Sequence, residues 1–433
     1  MDLDGALLSP PDYRPWSDLG AALSDDIASH HLAMLMADLN VGGVQKMTLT
    51  LARAFAERGH RVDILILRQG GELTEQLPPG CEVIRLRPAP MLVARAYALK
   101  ADPAALGLLA RPVLLAKKVS HTLPYLPDLA RYLRRAGPDA LVSATPHLNL
   151  EAIWARRLAG VPTRVLVSER SAPSQKLPVS RNWRHRYLPP LMRRTYGMAD
   201  VVVAVSDRLA DDLAAVTGLP RELITTIYNP VVGRDLSQQA LAPVEHPWFA
   251  PGQPPVLLGC GRLTEQKDFP TLIRAFARVR AAGSARLVIL GGAKDPDKCA
   301  ERRARLMALA RQLGVADHVD LPGYVRNPYP FMARAGVFVL SSRFEGLPGA
   351  LIQALACGCP VVSTDCPTGP EEILEGGRFG PLVPMGDDVR MADAIQAILA
   401  RPPPPAVLKS RALSFAEDLA VRRYLEVLFG PER

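Results

Sequence analysis

The segment HLAMLMADLNVGGVQKMTLTLARAFAERGHRVDILIL, residues 31–67, decides the fold. It begins with a continuous apolar run of the length of one buried strand, and the glycine turn NVGGVQ follows. The next residues, KMTLTLARAFAERGH, place apolar side chains at helical spacing and end near Gly59, and RVDILIL is a second apolar run. This order predicts a β-α-β unit with a glycine turn at the carboxyl end of its first strand.

The same alternation continues through the first half of the chain. Further apolar runs are short enough for buried strands, with helical patterns between most of them, at residues 81–86, 140–144, 163–169, 200–206 and 224–229. A proline-rich stretch then interrupts the pattern, and a second series of the same kind starts at PVLLGCGRL. The sequence therefore predicts an α/β protein with two Rossmann-like, doubly wound domains.

Changes in composition predict the domain limits. We expect a poorly ordered leader, a first domain, a linker, a second domain and a C-terminal helix that returns to the first domain, at residues 1–29, 30–242, 243–255, 256–410 and 411–433. Within the first domain, residues 91–135 mix Leu, Ala and Val with Arg and Lys and carry almost no acid. Such a basic amphipathic region can lie on an anionic membrane. It can equally form a helix pair packed on the domain with solvated lysines.

Composition narrows the class of protein. The chain has 433 residues, of which 48% are hydrophobic and 22% charged, as in soluble proteins with two domains. It has no uncharged apolar stretch that could span a bilayer, and its acidic start is unlike a secretory signal. The six cysteines form neither a disulfide framework nor a zinc pattern, so we expect reduced thiols, no metal centre and a cytoplasmic location. The net charge of +9 suits phosphate-bearing ligands or an anionic membrane face, and no nucleic-acid-binding motif accompanies it.

Two cations follow the first strand of the second series. Arg262 and Lys267 lie five residues apart in GRLTEQKDF, on a loop that leads into a helix. In doubly wound sheets, ligands bind beyond the carboxyl ends of the strands. Fixed cations at such a strand end can stabilise a departing diphosphate, although two solvated surface cations would give the same pattern.

A glutamate marks the turn in SSRFEGLPGALIQAL. Pro348 suits the start of a helix, where the amides of Gly349 and Ala350 would point towards an anion. Glu345 precedes this helix and would accept hydrogen bonds from sugar hydroxyls. Gln353 lies on an otherwise apolar helix, where a ribose diol could satisfy both its donor and its acceptor. The alternative is that Gln353 points sideways into solvent.

Gly42 and Gly43 lie in the turn after the first strand, where they would allow a ligand to approach the backbone closely. Two glycines after a strand are a weak signal by themselves. The turn is not a GxGxxG motif, which argues against a dinucleotide-binding site.

In this order and spacing, the segments resemble the family-4 retaining glycosyltransferases of the GT-B fold, from about residue 31 to residue 430. The strongest match is SSRFEGLPGALIQALACGCPVVSTDCPTGPEEIL, which is similar to the family's E-x7-E segment with its following strand and loop. Supporting matches are GGVQKMTLTLARAFAERGHRVDIL, SERSAP, IYNPV, GRLTEQKDF, LVILGG and LPGYVRNPYPFMARAGVFVLSSR. The resemblance implies two domains that face each other across a cleft. It also implies transfer of a hexose or N-acetylhexosamine from a nucleoside diphosphate sugar, with uridine as the expected base.

The resemblance implies roles for individual residues. Arg262, Lys267 and Glu345 are expected to be catalytic, the two cations on the donor diphosphate and the acid on the donor sugar. The second acid of E-x7-E is Gln353 here, which departs from the family pattern and removes one charge from the ribose site. The expected donor site comprises Gly42, Gly43, Arg262, Lys267, Tyr324, Val325, Glu345, Gly346, Leu347, Gly349, Ala350 and Gln353. Within it, the glycine turn closes over the phosphates, and Tyr324 and Val325 face the base.

The acceptor side is expected on first-domain loops. In related enzymes a histidine often lies there, and His147, just after a predicted strand, is our candidate catalytic residue. Asn149 is a second candidate and His121 an alternative, although a lone histidine can also be structural. Glu169 and Arg170, at the end of another predicted strand, are also expected to face the cleft.

The resemblance implies catalysis without a divalent cation, since no DxD-like pair lies on a suitable loop. The expected acceptor is a glycan or lipid-linked saccharide of cell-surface polysaccharide synthesis, reached from the inner face of the membrane. A nucleotide-dependent oxidoreductase or epimerase is disfavoured, because it requires GxGxxG and an acid after the second strand, where RVDILILRQG ends in Arg-Gln. A non-catalytic, sugar- or membrane-binding relative with an altered donor site is the remaining alternative, and Gln353 is its support.

Overall fold

The structure is a computed structural model. It describes residues 28–40, 42–109, 113, 120–175, 187–292 and 295–431. Nearly all of the expected leader lies outside the described residues, and so does part of the basic region, residues 110–112 and 114–119.

Among the described residues, seven parallel strands form the sheet of the first domain. They are β1 (His31–Met36), β2 (Arg61–Ile66), β3 (Cys81–Arg85), β4 (Ala140–Ala144), β5 (Arg164–Glu169), β6 (Val201–Ala204) and β7 (Ile224–Thr226). Their order across the sheet is β3-β2-β1-β4-β5-β6-β7. β4 and β6 are buried along their whole length, as expected for a parallel sheet with helices on both faces.

The described helices of the first domain follow the strands. They are α1 (Gly43–Ala56), α2 (Met91–Ala101), α3 (Leu106–Leu109), α4 (Leu126–Ala136), α5 (Pro146–Ala159), α6 (Leu188–Tyr196), α7 (Asp207–Thr217) and α8 (Leu236–Gln239). Helix α1 buries Met47, Leu51 and Phe55 against the sheet. Gly59 then adopts a left-handed φ of 83° and turns the chain into β2, so the predicted β-α-β unit is confirmed.

Six parallel strands form the sheet of the second domain within the described chain. They are β8 (Val256–Cys260), β9 (Arg286–Leu290), β10 (Val319–Gly323), β11 (Val337–Leu340), β12 (Val361–Thr364) and β13 (Leu382–Val383), in the order β10-β9-β8-β11-β12-β13. The described helices here are α9 (Phe269–Ala282), α10 (Pro296–Gln312), α11 (Tyr329–Arg334), α12 (Gly349–Ala356), α13 (Pro370–Leu374), α14 (Asp388–Ala400) and α15 (Pro405–Ala412). The predicted fold class, α/β with two doubly wound domains, is confirmed.

The strand order reverses once in each sheet, between β1 and β4 in the first domain and between β8 and β11 in the second. At such a reversal the connections from the two strands leave in opposite directions and open a crevice at the carboxyl ends of the strands. The loops after β1, β4, β8 and β11 therefore border the places where ligands are expected. The glycine turn, His147, the Arg262–Lys267 loop and the Glu345 loop each follow one of these four strands.

The last described helix, α16 (Glu417–Phe429), packs on the first domain. Val421, Tyr424 and Leu428 are buried with side chains of α1 and of the first sheet. Arg53 Nη2 of α1 donates to both carboxylate oxygens of Glu417, at 2.7 and 2.8 Å. The chain thus crosses back from the second domain to the first at its end.

Candidate functional site

A buried ion pair connects the two loops at the strand-order reversal of the second domain. Lys267 Nζ lies 2.7 Å from Glu345 Oε1, and the two side chains are 14% and 10% exposed. Ser342 Oγ donates a second hydrogen bond to the same oxygen, at 2.6 Å. The sequence analysis assigned both residues to the donor site but did not predict the ion pair between them.

Three further hydrogen bonds join the two loops. Gln266 Nε2 donates to the carbonyl oxygen of Phe344 at 2.9 Å, and the amide of Arg343 donates to the carbonyl oxygen of Gln266 at 2.8 Å. Ser341 Oγ donates to the carbonyl oxygen of Lys267 at 2.7 Å. Because backbone groups of both loops take part, the ion pair is held by a framework and does not depend on side-chain rotamers alone.

Two features of the β8 loop fix the path of the Lys267 side chain. Gly261 has a φ of 156°, and a Cβ placed on it would lie 2.9 Å from Lys267 Cε, so a larger residue would displace the lysine. Asp268 has a left-handed φ of 45°, and its Oδ2 accepts hydrogen bonds from Thr271 Oγ1 at 3.0 Å and Arg343 Nε at 3.1 Å. These contacts stabilise the strained residue from which α9 starts.

Cationic side chains surround the end of β8. Arg262 is exposed, and no side chain among the described residues forms a hydrogen bond or ion pair with its guanidinium group. Lys46, in the first turns of α1, is also exposed. Burial raises the pKa of the Cys260 thiol, and the charges of Lys267 and Lys46 oppose this rise. Lys46 of the first domain therefore lies near the end of β8 in the second, a placement that the sequence analysis missed.

Helix α12 begins as predicted, with Pro348 at its N-cap and Gly349 at its first position. Gly349 and Ala350 are half-buried, and Gly349 lies next to Val231 of the first domain. Gln353 is half-buried, and its Nε2 donates a 3.4 Å hydrogen bond to the hydroxyl of Tyr329. Gln353 thus does not point freely into solvent.

Gly346 and Leu347 occupy a contact between the domains. A Cβ on Gly346 would overlap the carbonyl oxygen of Arg170, and the Gly346 carbonyl accepts a hydrogen bond from Ser206 Oγ at 3.2 Å. The Leu347 side chain is buried in the core. The backbone of Leu347 is therefore the part of this residue that can reach a ligand.

The remaining donor-site candidates differ in exposure. Gly43 has no atom within 4 Å of the position that a Cβ would occupy, whereas a Cβ on Gly42 would meet the side-chain amide of Gln45. Tyr324 is 57% exposed, just after β10. Val325 is half-buried against the core.

The acceptor-side candidates separate into exposed and buried residues. His147 is exposed in the first turn of α5, two residues after Thr145, whose φ of 109° is strained for a non-glycine residue. Asn149 is fully buried, and its side chain bonds to Ser143, Glu169 and Tyr196. The expectation that Asn149 and Glu169 face the cleft is wrong, because both side chains are buried and hydrogen-bonded within this network.

The carboxylate of Asp38 accepts hydrogen bonds from residues of the glycine turn, a role that the sequence analysis missed. Its Oδ1 accepts from the Asn40 amide and from Gln45 Nε2, each at 3.2 Å. Its Oδ2 accepts from Arg68 Nη2 at 2.6 Å. The side chain of His121 lies near this pair. Its partial burial and the Arg68 charge lower its pKa, and the Asp38 charge partly offsets this. Asp38, Arg68 and His121 therefore form a polar group at the ends of β1 and β2.

No described helix is both long enough and apolar enough to cross a membrane. Within the described residues, no group of three or more His, Cys, Asp or Glu side chains is arranged to hold a metal ion.

Two family models match the chain, one in each domain. Residues 41–232 match the model described as Glycosyltransferase Family 4, and residues 254–401 match Glycosyl transferases group 1. The chain is a family-4 glycosyltransferase of the GT-B fold. The resemblance inferred from the sequence motifs is therefore confirmed.

Two relatives of this glycosyltransferase transfer N-acetylgalactosamine or galactose, by their names. The chain is 29% identical over 313 residues to the N-acetylgalactosamine-N,N'-diacetylbacillosaminyl-diphospho-undecaprenol 4-alpha-N-acetylgalactosaminyltransferase of Campylobacter jejuni, a match that covers 71% of this chain and 81% of the relative. It is 26% identical to the lipopolysaccharide 1,6-galactosyltransferase of Escherichia coli, over 60% of this chain and 65% of that one. The Anabaena HepE structure in complex with UDP shares the fold, with a TM-score of 0.69, 19% identity and coverage of 92% and 99% of the two chains. A role in glycosyl transfer follows from membership of the family.

Proposed function

We propose that this glycosyltransferase moves a sugar from a UDP-sugar to a lipid-linked or glycan acceptor, with retention of anomeric configuration and without a divalent metal. The observation that carries the proposal is the buried Lys267–Glu345 pair, with Ser342 on the same carboxylate oxygen and the exposed Arg262 beside it. The pair lies where the strand order of the second sheet reverses, which is where ligands bind in such sheets.

The charges at this site suit a diphosphate. Glu345 offsets the charge of Lys267, so Arg262 and Lys46 supply the positive charge that remains available at the end of β8. Cations placed near a leaving group stabilise the negative charge that it gains during the reaction. In this proposal they perform the task that a divalent metal performs in other transferases.

The position of the Glu345 carboxylate supports sugar binding. Its Oε1 accepts from both Lys267 and Ser342, and no side chain of the described part of the chain donates to Oε2. Oε2 is therefore free to accept a hydrogen bond from a donor-sugar hydroxyl. In a front-face displacement, the departing phosphate oxygen takes the proton of the acceptor hydroxyl as the new glycosidic bond forms on the same face.

Two observations support a lipid-linked acceptor at a membrane. The first relative acts on a diphospho-undecaprenol-linked saccharide, by its name. On α2 and α3, Leu92, Val93 and Leu106 are exposed, as is Lys100. The acid of this stretch, Asp102, is buried and paired with Arg194. An apolar surface with basic charges suits an anionic membrane. We therefore propose a peripheral location on the cytoplasmic face of the membrane.

Calorimetric titration of the full chain with UDP and with GDP, in a metal-free buffer containing EDTA, tests the donor site. We expect selective binding of UDP that is lost in Lys267→Ala and kept in Lys409→Ala, an exposed lysine on α15 far along the chain from the loops. UDP-galactose and UDP-N-acetylgalactosamine are then the first donors to assay, since the two relatives transfer these sugars by name. A folded protein that binds neither nucleotide would support the alternative of a non-catalytic relative.

A further inference from the structure

A carboxylate of the second domain binds a helix N-terminus of the first. Glu372, on α13, accepts hydrogen bonds from the backbone amide of Asp207 with both oxygens, at 2.9 and 3.1 Å. Asp207 is the first residue of the 11-residue helix α7, so the carboxylate lies at the positive end of the helix dipole. The hydroxyl of Tyr228 also bonds to Glu372. Burial, together with this hydrogen bond, raises the pKa of Tyr228.

Neighbouring contacts reinforce this interdomain bond. Glu371, adjacent on α13, forms an ion pair with Arg208, the second residue of α7. Arg411 of α15 donates to the carbonyl oxygens of Glu372, at 2.7 Å, and of Ile373, at 2.9 Å. Helix α13 is thus fixed to its own domain by Arg411 while its two acids bind the other domain.

The loop that leads into α13 is packed against the donor loop. Thr368 Oγ1 donates to the carbonyl oxygen of Glu345. Gly369 has a φ of 91°, and a Cβ on it would lie 2.6 Å from Pro348 Cδ and 2.7 Å from the carbonyl oxygen of Gly346. A displacement of α13 would therefore move the backbone that carries Glu345.

Helix α7 does not need Glu372 in order to form. Ser206 already caps it, because Ser206 Oγ accepts from the Leu209 amide at 3.3 Å. The same hydroxyl donates to the carbonyl oxygen of Gly346 at 3.2 Å. The N-terminus of α7 therefore contacts the second domain at the donor loop through Ser206 and at α13 through Asp207 and Arg208.

We propose that Glu372 is a positioning residue, which binds the N-terminus of α7 and thereby holds the two domains and the Glu345 loop in the arrangement needed for transfer. The role of the Glu345 loop rests on the proposed function, whereas the interdomain bond does not. Glu372 itself touches no reacting atom. Its loss should lower turnover by misplacing groups that do, and small misplacements of this kind can cost about tenfold to a hundredfold in rate.

Three variants test this role. Glu372→Ala removes the acceptor, and Glu372→Gln keeps one oxygen for the Asp207 amide. Glu301→Gln is the matched control, since Glu301 is an exposed glutamate that pairs with Arg305 within α10. For each we would measure the radius of gyration by X-ray scattering with and without UDP, the Kd for UDP, and kcat and KM with UDP-galactose or UDP-N-acetylgalactosamine, whichever the wild type uses.

For Glu372→Ala we expect a larger radius of gyration and a kcat reduced by about tenfold or more, while the Kd for UDP changes by less than about threefold. Glu372→Gln should be intermediate in both, and Glu301→Gln unchanged. Wild-type scattering and kcat in Glu372→Ala would overturn the proposal. If the wild type neither binds UDP nor turns over, the proposed function fails, and scattering of Glu372→Ala still decides the interdomain role: expansion supports it, and no change refutes it.

Discussion

The Lys267 ammonium lies 2.7 Å from the Glu345 carboxylate, on loops that follow two neighbouring strands of the second sheet, and both side chains are largely buried. In this pair the charge of each residue is compensated by the other, so neither residue can be changed without affecting its partner. Removal of either partner leaves the other as a buried, unpaired charge, which is costly. Mutations at the pair therefore combine an effect on ligand binding with an effect on stability, and an experiment must separate the two.

A double-mutant cycle makes that separation. We expect Lys267→Met alone to lower the stability of the second domain by about 1–3 kcal/mol, because Glu345 loses its partner. The double variant with Glu345→Gln should recover part of this loss, since no charge remains unpaired, but its turnover should stay at least about a hundredfold below wild type. Urea unfolding and donor turnover provide the two measurements. Recovery of turnover together with stability would show that the pair is only structural.

Lys46 is expected to bind the donor phosphates from the opposite domain. Lys46→Gln should weaken UDP binding by about twofold to fivefold, the range of an exposed charge contact, and leave uridine binding unchanged. Lys46→Arg should keep most of the affinity. Lys409→Gln serves as the control, because the charge of this exposed lysine likewise opposes the rise in pKa of a half-buried thiol, that of Cys357, but Lys409 lies on α15. Equal loss of UDP and uridine affinity in Lys46→Gln would contradict a phosphate contact.

Gln353 is expected to bind the ribose of the donor. Gln353→Leu removes both the donor and the acceptor of the amide while its volume stays similar, and it should weaken UDP binding by about 1–2 kcal/mol. Gln353→Glu restores the residue type of the family pattern and should retain binding. Isothermal titration with UDP and with 2'-deoxy-UDP measures the contact, because the loss should be smaller for the deoxy compound. The same loss for both compounds would place Gln353 outside the ribose site.

Leu92 and Leu106 are expected to contact a membrane. Leu92→Glu with Leu106→Glu should reduce co-sedimentation with vesicles of 30% anionic lipid by about tenfold, since each change removes apolar area and adds a repulsive charge. Leu241→Glu is the matched control, because Leu241 is 78% exposed and Leu92 is 77% exposed. Co-sedimentation that is equal in the double variant and in the wild type would argue against this surface as a membrane contact.

Glu151 predicts a pH dependence of stability. Burial raises its pKa to about 8, against an ordinary value of 4.5, and the bond from Thr122 only partly offsets this. Between pH 4.5 and about pH 8, Glu151 is therefore protonated in the native state and ionised in the unfolded chain. Its contribution to stability is complete below about pH 4.5 and is lost as the pH rises to about 8, with a slope of at most about 1.4 kcal/mol per pH unit.

The matched test compares Glu151→Gln with wild type by urea unfolding from pH 5 to pH 8.5. The stability of the variant relative to the wild type should rise steadily with pH up to about 8 and then level off. Other titrating groups are the same in both proteins and cancel in the difference. Glu82→Gln, at an exposed site, should show no such trend. A difference that stays constant with pH would mean that Glu151 is ionised in the native state.

Local pattern alone was sufficient for much of this protein. The apolar run of β1, the glycine turn and the helical spacing of α1 predicted the first β-α-β unit, because buried parallel strands and amphipathic helices each impose their own period. The four loops chosen as candidate ligand sites all follow strands at the strand-order reversals, because strand direction alone sets the edge of a doubly wound sheet at which ligands bind. The motif pattern, in its order along the chain, was enough to recognise the family.

The tertiary structure decided which of those residues touch. Lys267 and Glu345 are 78 positions apart, and only the adjacent placement of β8 and β11 brings them together. Asn149 follows a strand as His147 does, yet it is buried, because α5 turns its side chain towards Glu169 and Tyr196. Lys46 and Glu372 act across the two domains, and nothing in their local sequence indicates the partner. The spacing of apolar residues determines the strands and helices, and also the edge of the sheet at which each strand ends. The contacts between charged residues depend on how separate strands and helices pack.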